Sequence, residues 1–483
     1  MKRGEKSIFK IEKYAFEGKG IARLQKNLDG DTKSGYVVFV NGAYPGDIVE
    51  AKILKTKKSF AEAVTENIIS PSPYRTSARC KYFGTCGGCK QQDLDYPVQL
   101  SYKQEQVKEI FEKMGGLSNF EIDDIAPSEE IYFYRNKMEF SFADKRWLTR
   151  EEIESQEIID RDFALGLHVP RVYDKVLDIE ECFLQSELSN DILNFTRKFF
   201  KERNTPVYST KTHEGFLRNL VIRQSKPSAK TGTGNQGLMV NLVTASENDE
   251  LMNSYTEKLI NSFPQITTVI NNINLKKAAV ATGDFEKVYD GEGFIYDFIG
   301  KYKFRISANS FFQTNTQQAG KLYETAAEYA DLKEDEIVYD LYSGAGTIAI
   351  YLSDKAKEVI TFESVESAVK DAEENAVLND IKNVRFFTAD LYKSFLPIVE
   401  ENKLPKPDKI IIDPPRSGMH KNTVEDVIKL NPASIVYVSC NPTTQVRDIK
   451  MLAEAGYELV KIRPVDMFPH TYHIENVALL VRL

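Results

Sequence analysis

The fold of this chain is decided by Asp340-Leu341-Tyr342-Ser343-Gly344-Ala345-Gly346-Thr347. This stretch follows the apolar run Ile337–Leu341 and precedes a segment with helical spacing of its apolar residues, so we interpret it as a strand-to-helix turn. Glycines at such a turn let the backbone come close to a ligand at the tip of a parallel sheet. Because the full G-x-G-x-x-G pattern is absent, the turn by itself is weak evidence for a cofactor site.

Strands and helices alternate on both sides of this turn in the C-terminal part of the chain. Helices are predicted at 317–331, 347–354, 365–379, 421–430 and 444–455. Strands are predicted at Ile337–Leu341, Glu358–Glu363, Val384–Thr388, Lys409–Ile412, Ser434–Val438, Leu459–Pro464 and Ala478–Val481. This alternation is typical of a parallel sheet covered by helices on both faces. The last two strands are too close in sequence for a helical crossover, so we expect them to pair antiparallel.

The pattern divides the chain into three regions. Residues 1–66 carry short β-branched and aromatic runs between Gly, Asn and Pro turns, which predicts a small β-barrel. Residues 67–316 begin with a cysteine-bearing stretch and continue mostly as strands, with helices at 186–203 and 249–262, which predicts a mixed α/β central domain. Residues 317–483 hold the alternating pattern. The fold class is therefore α/β with an N-terminal barrel.

The composition, 42% hydrophobic and 28% charged, is ordinary for a soluble globular protein. No apolar run approaches about 18 residues and no apolar segment follows Met1–Lys6, so we expect no membrane partner, no signal peptide and a cytoplasmic location. The net charge of −8 argues mildly against a nucleic-acid partner. Residues 1–70 nevertheless hold 13 Lys or Arg against 9 Asp or Glu, and the barrel lysines that suit oligonucleotide binding are Lys52, Lys55, Lys57 and Lys58.

Acidic residues follow two further strands of the predicted sheet. Glu363 ends the second strand, where an acid can accept hydrogen bonds from both hydroxyls of a ribose, and Asp413 ends the fourth. No lysine follows the glycine turn, so a phosphate-binding P-loop is excluded. An acidic crevice suits a cationic sulfonium cofactor. The segment resembles the class I S-adenosylmethionine-dependent methyltransferases, whose seven-stranded sheet ends in an antiparallel hairpin.

Cys440 ends the next predicted strand, within Ser439-Cys440-Asn441-Pro442, and so adjoins the same crevice. A lone cysteine at a strand end is usually a small buried apolar residue, but this position favours a nucleophile. Carbon 5 of uracil is a poor nucleophile, and addition of a thiolate at carbon 6 raises its electron density so that it can take a methyl group. Arg416 stands where an aromatic residue would follow Asp413-Pro414-Pro415 in enzymes that methylate exocyclic amines, which disfavours that reaction.

The reaction also needs a base that removes the carbon-5 proton. Glu475 lies just before the last strand, on the crevice side of the sheet, and a glutamate in a partly dry site can be tuned to accept a proton. We expect Glu475 to be the base and His473 to be a positioning residue. The alternative for His470 and His473 is ordinary packing in a loop.

The chain resembles the RNA 5-methyluridine methyltransferase family over essentially its whole length. Five segments in order carry the resemblance: Ser307–Asn315, Asp340–Thr347, Asp413–Arg416, Ser439–Pro442 and His473–Glu475. The resemblance implies S-adenosylmethionine as the cofactor, contacted by Gln313, Tyr342, Glu363 and Asp413. It also implies Cys440 as the nucleophile and Glu475 as the base. The barrel resembles the RNA-binding TRAM module.

Four of the five cysteines lie far upstream of Cys440. Cys80, Cys86 and Cys89 stand within ten residues, and Cys182 follows later. Such thiols can bind zinc or an iron–sulfur cluster, whereas a disulfide framework is disfavoured in the cytoplasm. The family includes members with a [4Fe–4S] cluster on this cysteine pattern, which favours a cluster here, in a structural or RNA-shaping role.

The expected partner is structured RNA, with 23S ribosomal RNA favoured and transfer RNA as the alternative. A cytosine-5 methyltransferase usually carries Pro-Cys at the nucleophile, which differs from Ser439-Cys440-Asn441. A non-enzymatic iron–sulfur RNA-binding factor is the alternative of another class. Nothing in the sequence indicates an obligate protein partner. The candidate phosphate contacts are Arg135, Lys137, Arg218 and Arg223, and the alternative for each of them is a structural ion pair.

Overall fold

The computed structural model describes residues 1–23, 35–155, 159–170, 172–226, 237–277 and 281–483. These residues form a six-stranded sheet, two eight-stranded sheets and a two-stranded hairpin. In this part of the chain no helix is long and apolar enough to cross a membrane.

The N-terminal sheet curls into a barrel. Its strands are β1 (Lys6–Lys10), β2 (Lys13–Ala15), β3 (Lys19–Arg23), β4 (Val37–Asn41), β5 (Ile48–Thr56) and β6 (Phe60–Ser70), in the order β1-β5-β6-β4-β3-β2. The two edge strands β1 and β2 are consecutive in the chain with only Ile11 and Glu12 between them, so the two edges of the sheet meet. Alternate residues such as Val38 and Val40 are fully buried in the interior.

A helix and a short strand connect the barrel to the rest of the chain. Helix α1 (Tyr96–Glu109) continues into one wider turn at Ile110–Met114 and is followed by β7 (Glu121–Ile122). Both elements pack on the C-terminal sheet, because Val107 and Phe111 belong to its apolar core and β7 pairs parallel with a strand near the C-terminus. Packing therefore crosses the boundary that the sequence pattern predicts at residue 317.

The central sheet combines antiparallel and parallel pairs and carries its helices on one side. Its elements are β8 (Lys137–Ala143), β9 (Arg146–Trp147), α2 (Arg150–Glu154), β10 (Ala164–Val169), β11 (Val172–Asp178), α3 (Glu187–Glu202), β12 (Leu217–Gln224), β13 (Leu238–Thr244), α4 (Asp249–Ser262), β14 (Thr268–Ile273) and β15 (Phe285–Asp290). The strand order is β15-β14-β13-β12-β8-β10-β11-β9. Phe199, Phe200 and Tyr255 from α3 and α4 are buried together with the strand residues.

The C-terminal unit has the expected helix-covered sheet. Its elements are β16 (Phe294–Ile299), β17 (Tyr302–Ser307), α5 (Thr316–Ala330), β18 (Ile337–Leu341), α6 (Thr347–Leu352), β19 (Glu358–Glu363), α7 (Glu366–Leu378), β20 (Val384–Thr388), α8 (Leu396–Glu401), β21 (Lys409–Ile412), α9 (Lys421–Leu430), β22 (Ser434–Ser439), α10 (Pro442–Glu454), β23 (Tyr457–Val465) and β24 (Glu475–Arg482). The sheet order is β20-β19-β18-β21-β22-β24-β23-β7.

The pairing of the last two strands confirms a prediction from the sequence. Strands β18 to β22 pair parallel, while β24 pairs antiparallel with both β22 and β23. The carboxyl ends of β18, β19, β21 and β22 therefore lie along one edge of the sheet, and β24 starts at that edge, since Glu475 and Asn476 lie opposite Val465 and Ser439. Side chains at these strand ends meet in one place.

Candidate active site

A cleft of about 1010 Å³ opens at the carboxyl edge of the C-terminal sheet. The structure brings together in this cleft every residue that the sequence predicts for cofactor binding and catalysis. These residues are Gln313, Tyr342, Glu363, Asp413, Cys440 and Glu475. His473 lines the cleft as well.

The turn after β18 is shaped by residues with positive φ. Tyr342 and Gly346 have φ angles of 64° and 73°. A side chain at Gly346 would place its Cβ 2.9 Å from the Ala372 side chain, so the turn packs closely against α7. The backbone N–H of Gly344 donates to Oε2 of Glu363 at 3.0 Å. The glycine turn and the second strand are thus joined directly at the cleft.

Glu363 is held in a fixed orientation at the end of β19. Besides Gly344, its Oε1 accepts from the backbone N–H of Val365 at 2.8 Å and from the hydroxyl of Ser364 at 3.1 Å. Oε2 accepts only the bond from the N–H of Gly344 and so keeps a lone pair for a ligand hydroxyl. The carboxylate is therefore oriented in advance to accept a hydrogen bond from a diol.

Asp413 and Glu475 line the cleft, and the completely buried Asp340 of β18 lies close enough to Asp413 to be affected by its charge. Burial, followed by the nearby charges of Asp413 and Glu363, raises the pKa of the completely buried Asp340 well above its ordinary value. Burial raises the pKa of Asp413 to about 7, and burial together with Asp413 raises the pKa of Glu475 well above the usual range. A bound cation would stabilise the ionised form of each group, so the site is electrostatically suited to a positively charged ligand.

Cys440 lies half-buried at the end of β22. Burial first, and then the charges of Glu475 and Asp413, raise the pKa of this thiol to about 12, while Arg416 acts in the opposite direction. Asn441 caps α10 and donates from Nδ2 to the carbonyl of Arg416 at 3.1 Å. The loop that begins with Asp413 is thereby held beside the thiol.

Glu475 and His473 enter the cleft from the start of β24. Glu475 is only 7% exposed. Burial, followed by the positive charges of Arg416, Lys103 and Arg135, lowers the pKa of His473 to about 4. At neutral pH His473 is therefore an uncharged imidazole beside a carboxyl group whose pKa is raised.

The mouth of the cleft contains residues that the sequence analysis did not select. Phe311 is 73% exposed and stands two residues before Gln313, and Gly87 and Gly88 of the cysteine-bearing loop lie on the same rim. The signal in the sequence was the pair of adjacent aromatic residues, Phe311 and Phe312, within the segment Ser307–Asn315. Arg135, a predicted phosphate contact, also lines the cleft.

The barrel reaches the same rim. Nη2 of Arg416 lies 3.7 Å from Oε1 of Glu17, which stands in the turn between β2 and β3. A Cβ at Gly18 would lie 3.0 Å from the ring of Tyr472, so the turn and the segment before β24 are in close contact. A ligand bound at this end of the barrel would therefore lie next to the cleft.

Two of the predicted phosphate contacts are wrong. Arg218 and Arg223 are 6% and 3% exposed. Arg218 donates to the carbonyls of Asn274 and Lys276, and Arg223 donates to the carbonyl of Ser310 at 2.6 Å. Both guanidinium groups satisfy backbone oxygens inside the protein and are not presented to a phosphate.

Lys137 and the four barrel lysines remain predicted contacts to nucleic acid. Lys137 is half-buried and forms an ion pair with Glu139. The barrel lysines are exposed; they are Lys52, Lys55, Lys57 and Lys58.

A second, small cavity of about 20 Å³ is lined by the four upstream cysteines, Cys80, Cys86, Cys89 and Cys182. All of them are free thiols, which excludes the disulfide alternative in this structure. Burial is the first cause that raises the pKa of each thiol. The N–H of Gly88 donates to Sγ of Cys86 at 3.3 Å, and Nε2 of Gln92 donates to Sγ of Cys89 at 3.2 Å.

The cysteine group does not have the geometry of a single-ion site. Within the described ranges of the chain, no three His, Cys, Asp or Glu side chains converge on a point suitable for one metal ion. The four thiols instead surround a space, with Tyr82, Leu167 and Ile179 among the apolar residues of its wall. This arrangement disfavours the zinc alternative, in which four ligands converge on one ion at about 2.3 Å.

Comparisons with known proteins agree with this fold and this cleft. Residues 296–483 match the family model described as tRNA (uracil-5-)-methyltransferase, and residues 3–65 match the TRAM domain. An uncharacterised RNA methyltransferase of Chlorobaculum tepidum is 43% identical over 457 residues, which are 94% of this chain and 93% of that protein. One from Bacteroides thetaiotaomicron is 40% identical over 96% of this chain and 99% of its own length.

A solved structure extends the similarity to three dimensions. The crystal structure of the Pyrococcus abyssi tRNA (uracil-54, C5)-methyltransferase in complex with S-adenosyl-L-homocysteine has a TM-score of 0.73 with this chain, at 29% identity, and covers 98% of this chain and 99% of the other. The C-terminal sheet and its cleft define a Rossmann-like methyltransferase. The chain belongs to the RNA (uracil-5-)-methyltransferase family.

The raised pKa of Asp413 predicts a pH-dependent loss of stability. Between about pH 4, where an unfolded Asp ionises, and pH 7, the native state keeps a proton that the unfolded state has lost, so stability falls as pH rises. We expect Asp413→Asn to have the Tm of the parent at pH 4 and a Tm a few degrees higher at pH 8, measured by circular dichroism. The exposed Glu373→Gln is the control and should change neither value. Parallel Tm curves for Asp413→Asn and the parent across this range would contradict the prediction.

Proposed function

We propose that this protein transfers a methyl group from S-adenosylmethionine to carbon 5 of a specific uridine in 23S ribosomal RNA, with Cys440 as nucleophile and Glu475 as base. The observation that carries the proposal is that the thiol, the buried glutamate and the acidic cofactor cradle line one cleft. Each part alone has an ordinary structural explanation. Together they supply what uracil-5 methylation requires.

S-adenosylmethionine fits the residues of the cradle. Glu363, already oriented by three donors, suits the ribose hydroxyls. Asp340 and Asp413, with their raised pKa values, suit the positive charge of the ligand. Gln313 and Tyr342 lie on the same walls. The similar Pyrococcus abyssi enzyme was crystallised with S-adenosyl-L-homocysteine, the demethylated form of this molecule, which supports the assignment.

Cys440 acts first on the uracil. Its thiol loses a proton to solvent, and the thiolate adds to carbon 6, which pushes electron density onto carbon 5. When bound, S-adenosylmethionine would supply the electrophilic methyl group to carbon 5 and would leave as S-adenosylhomocysteine. Because Asp413 and Glu475 raise the pKa of the thiol, a cation bound beside them lowers it, and Arg416 acts in the same sense. The thiol is therefore most reactive after the cofactor has bound.

Glu475 completes the reaction. Its carboxylate takes the proton from carbon 5, and the electron pair of that C–H bond restores the ring double bond as the carbon–sulfur bond breaks and Cys440 leaves as a thiolate. A neighbouring cation also lowers the pKa of Glu475, which converts it into the ionised form that a base needs. His473, uncharged at neutral pH, stands beside it as a positioning residue.

The RNA substrate class has two candidates. The cysteine group and the barrel are the basis for preferring 23S ribosomal RNA. A separate observation supports transfer RNA as the substrate. The similar Pyrococcus abyssi enzyme, which covers 98% of this chain, the barrel included, acts on uracil 54 of transfer RNA. In both cases the target uridine must leave the base stack to reach the cleft.

A [4Fe–4S] cluster on Cys80, Cys86, Cys89 and Cys182 is part of the proposal. Each iron of such a cluster takes one thiolate, so the four sulfurs surround a space and need not converge on one point. The four thiols line one apolar cavity, and two of the sulfurs accept N–H donors, which suits that requirement. The cluster would hold the loop that forms part of the rim of the active-site cleft, which is a structural role.

Two substitutions separate the nucleophile from the base. Cys440→Ala should abolish methyl transfer from labelled S-adenosylmethionine to RNA and keep binding of S-adenosylhomocysteine, because it removes only the sulfur. Glu475→Gln should accumulate RNA bonded to Cys440, visible as a slow band on a denaturing gel, because the thiolate cannot leave until the carbon-5 proton is removed. Glu458→Gln, exposed on β23, is the matched control. Full transfer by Cys440→Ala would overturn the mechanism.

The substrate is tested with total RNA from a strain that lacks the gene. We expect the labelled methyl group to enter 23S ribosomal RNA at one or two uridines, mapped by nuclease digestion and mass spectrometry. The same digestion should show 5-methyluridine. Label confined to transfer RNA would replace the ribosomal substrate with the alternative, and label in 5-methylcytidine would contradict uracil specificity.

The cluster is tested by spectroscopy and metal analysis. Anaerobically purified protein should absorb broadly at about 400 nm and contain about four iron atoms per chain. Cys182→Ser should lose most of this iron, whereas Cys440→Ala, which removes the thiol of the other cavity, should keep it. Protein without iron, or with one zinc ion per chain, would contradict the cluster.

A further inference from the structure

Hydrogen bonds from other parts of the molecule hold the first five residues of the segment that leads from β23 to Glu475. We call residues 466–470 the base loop. Each of its five backbone carbonyls accepts a hydrogen bond from a residue outside the loop. The donors, in order from residue 466, are Gln318 (2.9 Å), Asn315 (3.0 Å), Lys103 (3.2 Å), Tyr134 (3.0 Å), and the backbone N–H groups of Lys90 (2.7 Å) and Gln91 (3.0 Å).

These donors come from four separate parts of the chain, and Lys103 belongs to α1. Asn315 and Gln318 begin α5, Tyr134 precedes the central sheet, and Lys90 follows the last upstream cysteine of the cysteine-bearing loop. Loops at protein surfaces usually leave their carbonyls to water. A loop whose carbonyls are all bonded to other elements is held in one position. It therefore also restrains the positions of His473 and Glu475, which follow it in the chain.

Lys103 makes the most unusual of these contacts. Lys103 lies on α1 and is 1% exposed. Its Nζ stands 2.5 Å from Oδ1 of Asp466, which is completely buried. The hydroxyl of Tyr96 donates to the other oxygen of Asp466 at 2.8 Å. A buried ion pair seldom stabilises a fold more than an apolar pair of the same volume. A gain in stability therefore does not explain why Lys103 and Asp466 form a buried ion pair here.

We propose that Lys103 is a positioning residue that sets the base loop, and through it Glu475, for proton removal from carbon 5. Its ammonium group binds the side chain of Asp466 and the carbonyl of Phe468 together, so it fixes both the start and the middle of the loop. Gln99, one helical turn earlier on α1, binds the backbone N–H of His470 at 3.0 Å and so fixes the end of the loop. Helix α1 thus supports the base from outside the sheet.

This inference rests on the proposed roles of Cys440 and Glu475 and makes a distinct prediction. Lys103 acts on the segment that carries His473 and Glu475, so its loss should slow proton removal and leave thiol addition and methyl transfer to carbon 5 in place. An error of about 1 Å in the position of a catalytic group can cost on the order of 100-fold in rate. The intermediate bonded to Cys440 should then accumulate.

The experiment uses full-length protein and three variants. Lys103→Met leaves Asp466 buried without its partner and is expected to lower the Tm. The double variant Lys103→Met/Asp466→Asn removes the buried charge, retains an acceptor for Tyr96, and should recover most of that Tm. Lys113→Met, from an exposed pair with Glu109 on the turn after α1, is the matched control. Circular dichroism and S-adenosylhomocysteine binding establish that each variant is folded with its cofactor site intact.

The double variant decides the proposal. We expect kcat to fall on the order of 100-fold, KM for RNA to stay within about threefold, and the denaturing gel to show accumulated enzyme–RNA adduct. A kcat restored to within about threefold of the parent, or a loss of activity without adduct, would overturn the positioning role. Adduct in Glu475→Gln but not in the double variant refutes only this inference. Absence of adduct in both variants, with Cys440→Ala fully active, refutes the proposed function itself.

Discussion

The burial of carboxyl groups at the carboxyl edge of the C-terminal sheet is the constraint on which the cleft depends. Asp340, Asp413 and Glu475 come from three different strands of that sheet, and burial is the first cause that raises the pKa of each, while the charge of Asp413 further raises the pKa of the other two. An apolar edge would be more stable in the absence of a ligand. Retaining these acids is explained by a cation that binds among them, as S-adenosylmethionine does in the proposed reaction, and such a destabilised arrangement is typical of active sites.

The same electrostatics govern the thiol. Burial first, and then the charges of Glu475 and Asp413, raise the pKa of Cys440, so in the proposed mechanism a cation bound beside these two groups would lower the pKa of the thiol. A nucleophile that becomes reactive only in the assembled complex is protected from side reactions in the free protein. In the proposed mechanism one charge on the ligand therefore prepares both the nucleophile and the base.

The base depends on support from distant parts of the chain. Strand β24 fixes Glu475 by backbone pairing with β22 and β23, but the segment before it owes its position to side chains of α1 and α5 and to the loop that carries the upstream cysteines. The cysteine group and the catalytic cleft are consequently neighbours in space, with Gly87 and Gly88 on the rim of the cleft. The proposed metal cluster, far from Cys440 in sequence, would thus stabilise the active site without taking part in its chemistry.

The sequence by itself determined the alternation of strands and helices, the antiparallel final pair, and the meeting of Glu363, Asp413 and Cys440 in one crevice, because strand-end positions of a parallel sheet converge by geometry. Gln313 and Tyr342 were expected at the cofactor only because of the resemblance to the family. It did not determine that α1 and β7 join the C-terminal sheet, since a short strand has no pattern that identifies its partner. Nor did it distinguish Arg135 at the cleft from Arg218 and Arg223, buried against backbone carbonyls. A guanidinium group binds carbonyls and phosphates alike, so only the tertiary structure, by deciding which oxygens come within reach, assigned each arginine and revealed Lys103 behind the base.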